Sequence, residues 1–384
     1  MYYIALQMLI GDTGKYVGII IGITFASLIM TQQPGVFVGI MQRTYSFVSD
    51  AGLPDIWVTD PKVQYIDDVK PMRDTELYRV KSVEGVAWAV PLFKGNITAH
   101  GTDGTFQNCS MIGLDDATLI AGPASMAAGK LQNLHQSDAV IVDDVGAKDK
   151  LAKILPDGSK APLKIGDELE LNDHHAIVVG IAKTTRTFQS MPVIYTTYSR
   201  ATTFVPQQRE LLSFVLVKAA QGQDVMQLTR RITSNTGLAA HTRDDFKKLT
   251  LNYYLKKTAM PISFGVTVAM GFLVGAAIAG QMFYNFTLEN IRQFGALKAM
   301  GTQDSVLLRM ILVQALFVGV IGWGLGVGLS AIFGFVTKGS VMPFNIPWQL
   351  LLFSGAGVFI ILIFSALISI RKVISLEPAI VFKS

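Results

Sequence analysis

Four long stretches of the chain contain no Asp, Glu, Lys or Arg: 16–42, 258–288, 310–337 and 339–370. A bilayer's hydrocarbon core is about 30 Å thick and a helix rises about 1.5 Å per residue, so roughly 20 apolar residues cross it. Each stretch holds one crossing. Backbone in lipid must satisfy its own hydrogen bonds, and uninterrupted apolar runs of this length predict helices rather than the short alternating strands of a barrel. The predicted membrane helices cover about 15–33, 261–286, 310–335 and 348–370. The first reads as an uncleaved helix: its apolar run extends to Met30, resumes beyond Pro34 as Val36 to Met41, and shows no A-x-A cleavage pattern.

Between the first two crossings the pattern changes to that of a water-soluble domain, 43–257. A strand-like run at 55–59 precedes a helix at 74–82 opened by Asp74 and a strand at 86–93. The same order returns at 211–218, 224–233 and 237–241. Two strand–helix–strand units far apart in sequence predict a split ferredoxin-like unit. The stretch between them, about 115–206, reads as an inserted β-rich subdomain whose clearest strands lie at 139–142, 168–172, 176–181 and 193–197. The expected fold is therefore an α-helical membrane protein with four transmembrane helices and a large α+β extracytoplasmic domain. The expected segments are 1–42 (N-terminal segment and first crossing), 43–257 (extracytoplasmic domain) and 258–384 (the other three crossings and the tail).

Composition agrees with a chain that is part membrane protein. Of 384 residues, 50% are hydrophobic and only 16% charged, with a mean hydropathy of +0.41, which excludes an ordinary soluble enzyme and a disordered chain. The net charge of +5 and pI of about 9.1 are read as membrane-surface and topology charge, with no nucleic-acid partner. Arg371 and Lys372 follow the last crossing, against Lys338 alone before it, which places the C-terminus, and with four crossings the N-terminus, in the cytoplasm. Lys247, Lys248, Lys256 and Lys257 run against this bias, but long translocated domains largely escape the charge rule. The lone cysteine, Cys109, rules out a disulfide within the chain.

Catalytic patterns are lacking. The 122–131 stretch has six residues between its glycines and Leu131 where a phosphate-binding loop needs four and a Ser or Thr. His174 and His175 are adjacent on a strand and point to opposite faces. No H-E-x-x-H or G-x-S-x-G occurs. The chain is read as a non-enzyme without metal ligands or a cofactor of its own. Gly271 with Gly275, and Gly322 with Gly326, have the G-x-x-x-G spacing that lets membrane helices approach closely.

The remaining signal lies in 287–304, the cytoplasmic link between the second and third crossings. Ile291, Phe294, Leu297 and Met300 recur every three residues among polar Glu289, Arg292, Gln293 and Lys298. The pattern predicts a short amphipathic surface helix ending near Gly301.

The run Glu289, Arg292, Phe294-Gly295-Ala296-Leu297-Lys298-Ala299-Met300-Gly301-Thr302 resembles the E-R-x-x-E-I-G-I-L-R-A-I-G-A segment of FtsX/MacB-type ABC transporter permeases. Leu376-Glu377-Pro378-Ala379 is similar to their terminal Leu-x-Pro-Ala, and the opening, from Ile4-Ala5-Leu6 through Gly22 to Ala26 with Gln32 and Gly35, is most similar to the DevC-like branch. Gln293 stands where the family often has a second acidic residue.

The resemblance implies an inner-membrane permease subunit of a mechanotransmission-type exporter, paired as a dimer. A separate ABC ATPase subunit would bind the ATP and Mg and dock on Glu289, Ile291, Arg292, Phe294, Gly295, Leu297, Lys298 and Gly301. Its motion would drive the outer domain to export a hydrophobic or amphipathic substrate. MacB-like and DevC-like branches add a periplasmic adaptor and an outer-membrane channel. FtsX-like regulation of a cell-wall hydrolase and LolC-like lipoprotein release are the alternatives. On this resemblance the apolar stripe through Leu297 is expected to meet the ATPase.

Overall fold

The computed structural model describes residues 2–11, 13–101, 106–155, 158–205, 211–338 and 342–374. The chain begins with α1 (Tyr2–Gly11) and α2 (Thr13–Thr44). There follow α3 (Ser46–Asp50), β1 (Ile56–Thr59), β2 (Met72–Arg73), α4 (Thr75–Lys81), β3 (Val86–His100), β4 (Phe106–Leu114) and β5 (Ser125–Gly129). Next are β6 (Ala139–Asp143), α5 (Asp144–Lys148), β7 (Lys153–Ile154), β8 (Lys160–Ala161), β9 (Glu168–Leu171), β10 (His174–Lys183), β11 (Val193–Thr197) and α6 (Tyr198–Phe204). The domain closes with β12 (Leu211–Leu212), β13 (Phe214–Ala219), α7 (Val225–Thr236), β14 (Ala239–Thr242) and α8 (Arg243–Lys257), and the chain continues as α9 (Met260–Glu289), α10 (Ile291–Ala299), α11 (Asp304–Val336) and α12 (Trp348–Ile374). These form two compact units, Met41–Thr258 and the remainder.

In the α/β unit, four antiparallel strands run in the order β14-β1-β13-β3, the order of a ferredoxin-like βαββαβ unit assembled from two distant halves. Its helices follow from local chemistry. Asp224 accepts the Met226 N–H at 2.9 Å to open α7, and Gly237, at φ +75°, closes it. Leu228 and Ile232, one helical turn apart, are buried on Ile56, Val58 and Val217 of the sheet. On the other sheet face Trp57 sits within 6 Å of the Phe47, Phe214 and Phe246 rings.

The strand-rich part inserted between the two halves does not start at 115. It begins earlier, because β3 is long enough to change partner: Val86 to Leu92 pair with β13, and Phe93 to His100 pair with β4. The sheet then continues through β4, β11, β6, β10 and β5, with β9 bridging β10 and β3, as a mixed sheet of ten strands among the described residues. Its own core gathers Phe93, Met111, Val142, Val178, Ile194 and Phe204.

In the helical unit, α2, α9, α11 and α12 are each long and apolar enough to cross a membrane. They extend past the sequence boundaries, most of all α2, which runs through Pro34. Gly271 and Gly275 of α9 and Gly322 and Gly326 of α11 all face α2: a Cβ at each would lie 2.2–2.7 Å from Ile29, Ala26, Ile23 and Ser27, respectively. Leu376 to Ala379 and the tail beyond lie outside the described residues.

Candidate coupling surface

The link between α9 and α11 is built as a compact turn–helix–turn. Asn290 ends α9, its side-chain amide donating to the Phe286 carbonyl at 2.9 Å. The short helix α10 ends in a Schellman arrangement: Thr302 N–H donates to Leu297 O at 3.1 Å, Gly301 N–H to Lys298 O at 3.0 Å, and Gly301 adopts φ +86°. Ion pairs pin both ends. Glu289 pairs with Lys15 of α2, and Lys298 with Asp304 at the start of α11, 3.1 Å away.

The helix faces the opposite way from the expected one. Phe294 is 0% and Leu297 9% exposed; together they join Ala5, Leu9, Phe286 and Met310 in the core of this chain's own helical unit, and Gly295 is buried beside them. These three residues are therefore not available to a partner, and the apolar stripe is consumed by intramolecular packing. Met300 is the exception on that stripe, at 75% exposed. Arg292, Gln293, Ala296 and Ala299 are exposed with it, and Ile291 is half-buried. The surface offered outward is thus cationic and small-residue, capped by one methionine.

The sequence reading also passed over α1. Its Ala5 and Leu9 are buried one turn apart, Gln314 Nε2 of α11 donates to Ala5 O at 2.7 Å, and Tyr3 and Ile10 stay exposed. An open groove of about 840 Å³ runs between α1 and α10, lined by Gln7, Met8, Gln293, Ala296 and Met300 among others. The i,i+4 spacing of Ala5 and Leu9 was the available signal.

Elsewhere, burial pushes the Cys109 thiol up to about 12, with the nearby Asp143 adding to it, so it is protonated and a poor nucleophile at neutral pH. Although no metal ligands were assigned from the sequence, ligand atoms of His100, Glu170 and Asp173 lie within 4.8 Å of one another; both acids are exposed.

Four membrane-length helices with a short linking helix, and a large α/β domain between the first two in sequence, define a polytopic membrane protein. The MacB-like periplasmic core domain model matches residues 16–235 and the FtsX-like permease C-terminal model matches 265–378. The first alone covers more than half of the chain, and the chain belongs to the FtsX/MacB-type ABC permease family, as a membrane subunit of it. Solved structures similar to part of the chain include the periplasmic region of MacB from Actinobacillus actinomycetemcomitans (14% identity, TM-score 0.39, covering 52% of this chain and 94% of that one). The extracellular domain of the noncanonical ABC-type transporter YknZ from Gram-positive bacteria is similar at 12% identity and TM-score 0.34, covering 49% of this chain and 98% of that one.

Proposed function

We propose that this permease couples ATP hydrolysis by a separate ABC ATPase subunit to movement of its α/β domain, within an exporter of the mechanotransmission type. The observation that supports this reading most is α10: a helix locked at both ends by ion pairs, anchored inward by Phe294 and Leu297, with Arg292, Gln293, Ala296 and Met300 left outward. A linker that merely spans two crossings needs neither the anchors nor the locks. The ATPase docks on this outward face and the adjoining groove along α1, and a push on α10 passes through the ion pairs into α2 and α11.

In this reading the termini and α10 are cytoplasmic and the α/β domain is extracytoplasmic. Two copies of the permease assemble with two ATPases in the inner membrane; adaptor and outer-membrane channel complete the machine if it follows the MacB-like or DevC-like pattern. A hydrophobic or amphipathic cargo is supported by a wholly apolar crevice of about 840 Å³ among α2, α9 and α12, lined by Met30, Phe37, Phe264, Phe353 and Ile360. The test is reconstitution of permease and ATPase in vesicles. ATP-dependent release of an amphipathic cargo, lost when Arg292 and Met300 are both changed to Glu, supports the proposal; wild-type export unaffected by that change contradicts it.

A further inference from the structure

The α/β domain holds a second, very different cavity, of about 280 Å³, where the two halves of β3 meet. Lys94 and Asn96 alternate onto one face of β3, and Asn96 stands directly across from Ser110 of β4. Segments before β2 and after β10 complete the walls with Asp67, Thr187 and Gln189. Lys94 is buried, its side chain 8% exposed, and is held in place by its backbone: its N–H donates to Ser213 Oγ at 2.8 Å and its carbonyl accepts from the same hydroxyl at 3.1 Å.

The polar groups of this cavity are largely unspent. Lys94 Nζ pairs with Asp67 Oδ1, which uses one of three ammonium donors and leaves Asp67 Oδ2 without a partner among the described residues. The side chains of Asn96, Ser110, Thr187 and Gln189 likewise make no hydrogen bond among the described residues. Asp67 is 18% exposed and Asn96 and Gln189 are exposed, so these free valences face an open cavity where a ligand can reach them.

Charge bookkeeping narrows the ligand. The Lys94–Asp67 pair is neutral, so a lone anion or cation would add an uncompensated charge beside a buried group. A neutral polyol can make a charge-assisted hydrogen bond to either group, but it brings no opposite charge to Lys94 or to Asp67. A ligand carrying both signs matches both. We propose that this cavity binds a small zwitterion of the amino-acid class, its carboxylate on Lys94 Nζ and its ammonium on Asp67 Oδ2. The Asn96 and Gln189 amides hold the carboxylate from the open side, and the volume limits the ligand to amino-acid size.

The test uses the full chain in nanodiscs, with no ATPase present, so its outcome is separate from the coupling proposal. With Trp323→Phe and Trp348→Phe removing the helical unit's fluorescence, melting of the α/β domain is followed by Trp57 and Trp88 with glycine, L-alanine, L-serine or L-glutamine, and with acetate, methylamine or glucose at equal ionic strength. At least one zwitterion is expected to raise Tm by several degrees and the three controls to leave it unchanged. N96A/Q189A, at two exposed positions, is expected to keep the ligand-free Tm and to weaken binding by about tenfold or more, and Lys94→Met to abolish it. No shift with any zwitterion, an equal shift with acetate or glucose, or unchanged affinity in N96A/Q189A overturns the proposal; should Lys94→Met unfold, the double variant decides.

Discussion

Gly326 of α11 lies so close to Ser27 of α2 that a Cβ added to it would stand 2.5 Å from the Ser27 Cβ and 2.8 Å from the Leu28 backbone nitrogen. Backbone cannot yield as a side-chain tip does, and Ser27 is itself fixed by donating to the Trp323 carbonyl at 3.1 Å. Helix packing in lipid draws on such close approaches rather than on a hydrophobic drive between helices. Since a Cβ added to Gly275 of α9 would stand 2.2 Å from the Ala26 Cβ, α2 is gripped from two sides by glycines.

Gly326→Leu and Gly275→Leu should therefore each destabilise the helical unit by about 1–3 kcal/mol or more, the usual range for overpacking. Gly328→Leu on α11 is the control, because a Cβ there meets nothing within 4 Å. Thermal unfolding in detergent measures the difference; equal losses at positions 326 and 328 would remove the packing argument.

Asp143 caps α5 by accepting from Gly146 N–H at 2.9 Å, while its other oxygen accepts from Val193 N–H at 2.7 Å, both bonds buried. Asp143→Ala orphans two buried donors and should cost about 2–4 kcal/mol. Burial holds this carboxyl above the usual carboxylate range, despite those two bonds. Asparagine keeps one acceptor and removes the buried charge, so Asp143→Asn should cost clearly less in denaturant titration.

His241 stacks on Phe246, rings 5.7 Å apart and nearly parallel, and burial lowers its pKa, although Asp245 opposes the shift. The unfolded state then binds the proton more readily. The stabilising contribution is full above the unfolded pKa, about 6.5, and is lost as pH falls through the folded value. Wild type should lose stability below about pH 6.5 more steeply than His241→Gln; parallel pH profiles would exclude His241 as the source.

Much of the fold was legible because lipid imposes a coarse rule: four charge-free runs can be little else than four helices. The ferredoxin-like pairing was legible because 56–100 and 211–242 carry the same alternation of strand and helix signals. The continuity of the sheet was not, since β3 changes partner at Phe93 through tertiary pairing that leaves no mark on local periodicity. In the coupling segment, three-residue spacing revealed an amphipathic helix and Gly301 its end. Spacing alone does not say whether an apolar stripe meets lipid, another subunit or its own bundle, and Phe294 and Leu297 turned out to meet their own bundle. For α1 the signal was limited to the i,i+4 spacing of Ala5 and Leu9, because the almost wholly apolar Tyr2–Gly11 has no polar face to set it off.

That inward turn separates two substitutions that would otherwise look alike. Leu297→Asp buries an unpaired charge in the helical core and should lower the chain's own stability by several kcal/mol. Met300→Asp, at a side chain 75% exposed, should leave the stability within about 0.5 kcal/mol of wild type while weakening ATPase association. Size-exclusion co-elution with the ATPase, alongside thermal melts of the permease alone, resolves both effects.

The coupling role of α10 is tested most directly by photocrosslinking in intact cells that express both subunits. A benzophenone amino acid is placed in turn at Gln293, Met300 and, as a lipid-facing control on α12, Phe364, which is 60% exposed. The account predicts an ATP-sensitive crosslink to the ATPase subunit from positions 293 and 300 and none from 364. Absence of ATPase crosslinks at 293 and 300 in a functional, inserted permease would contradict it.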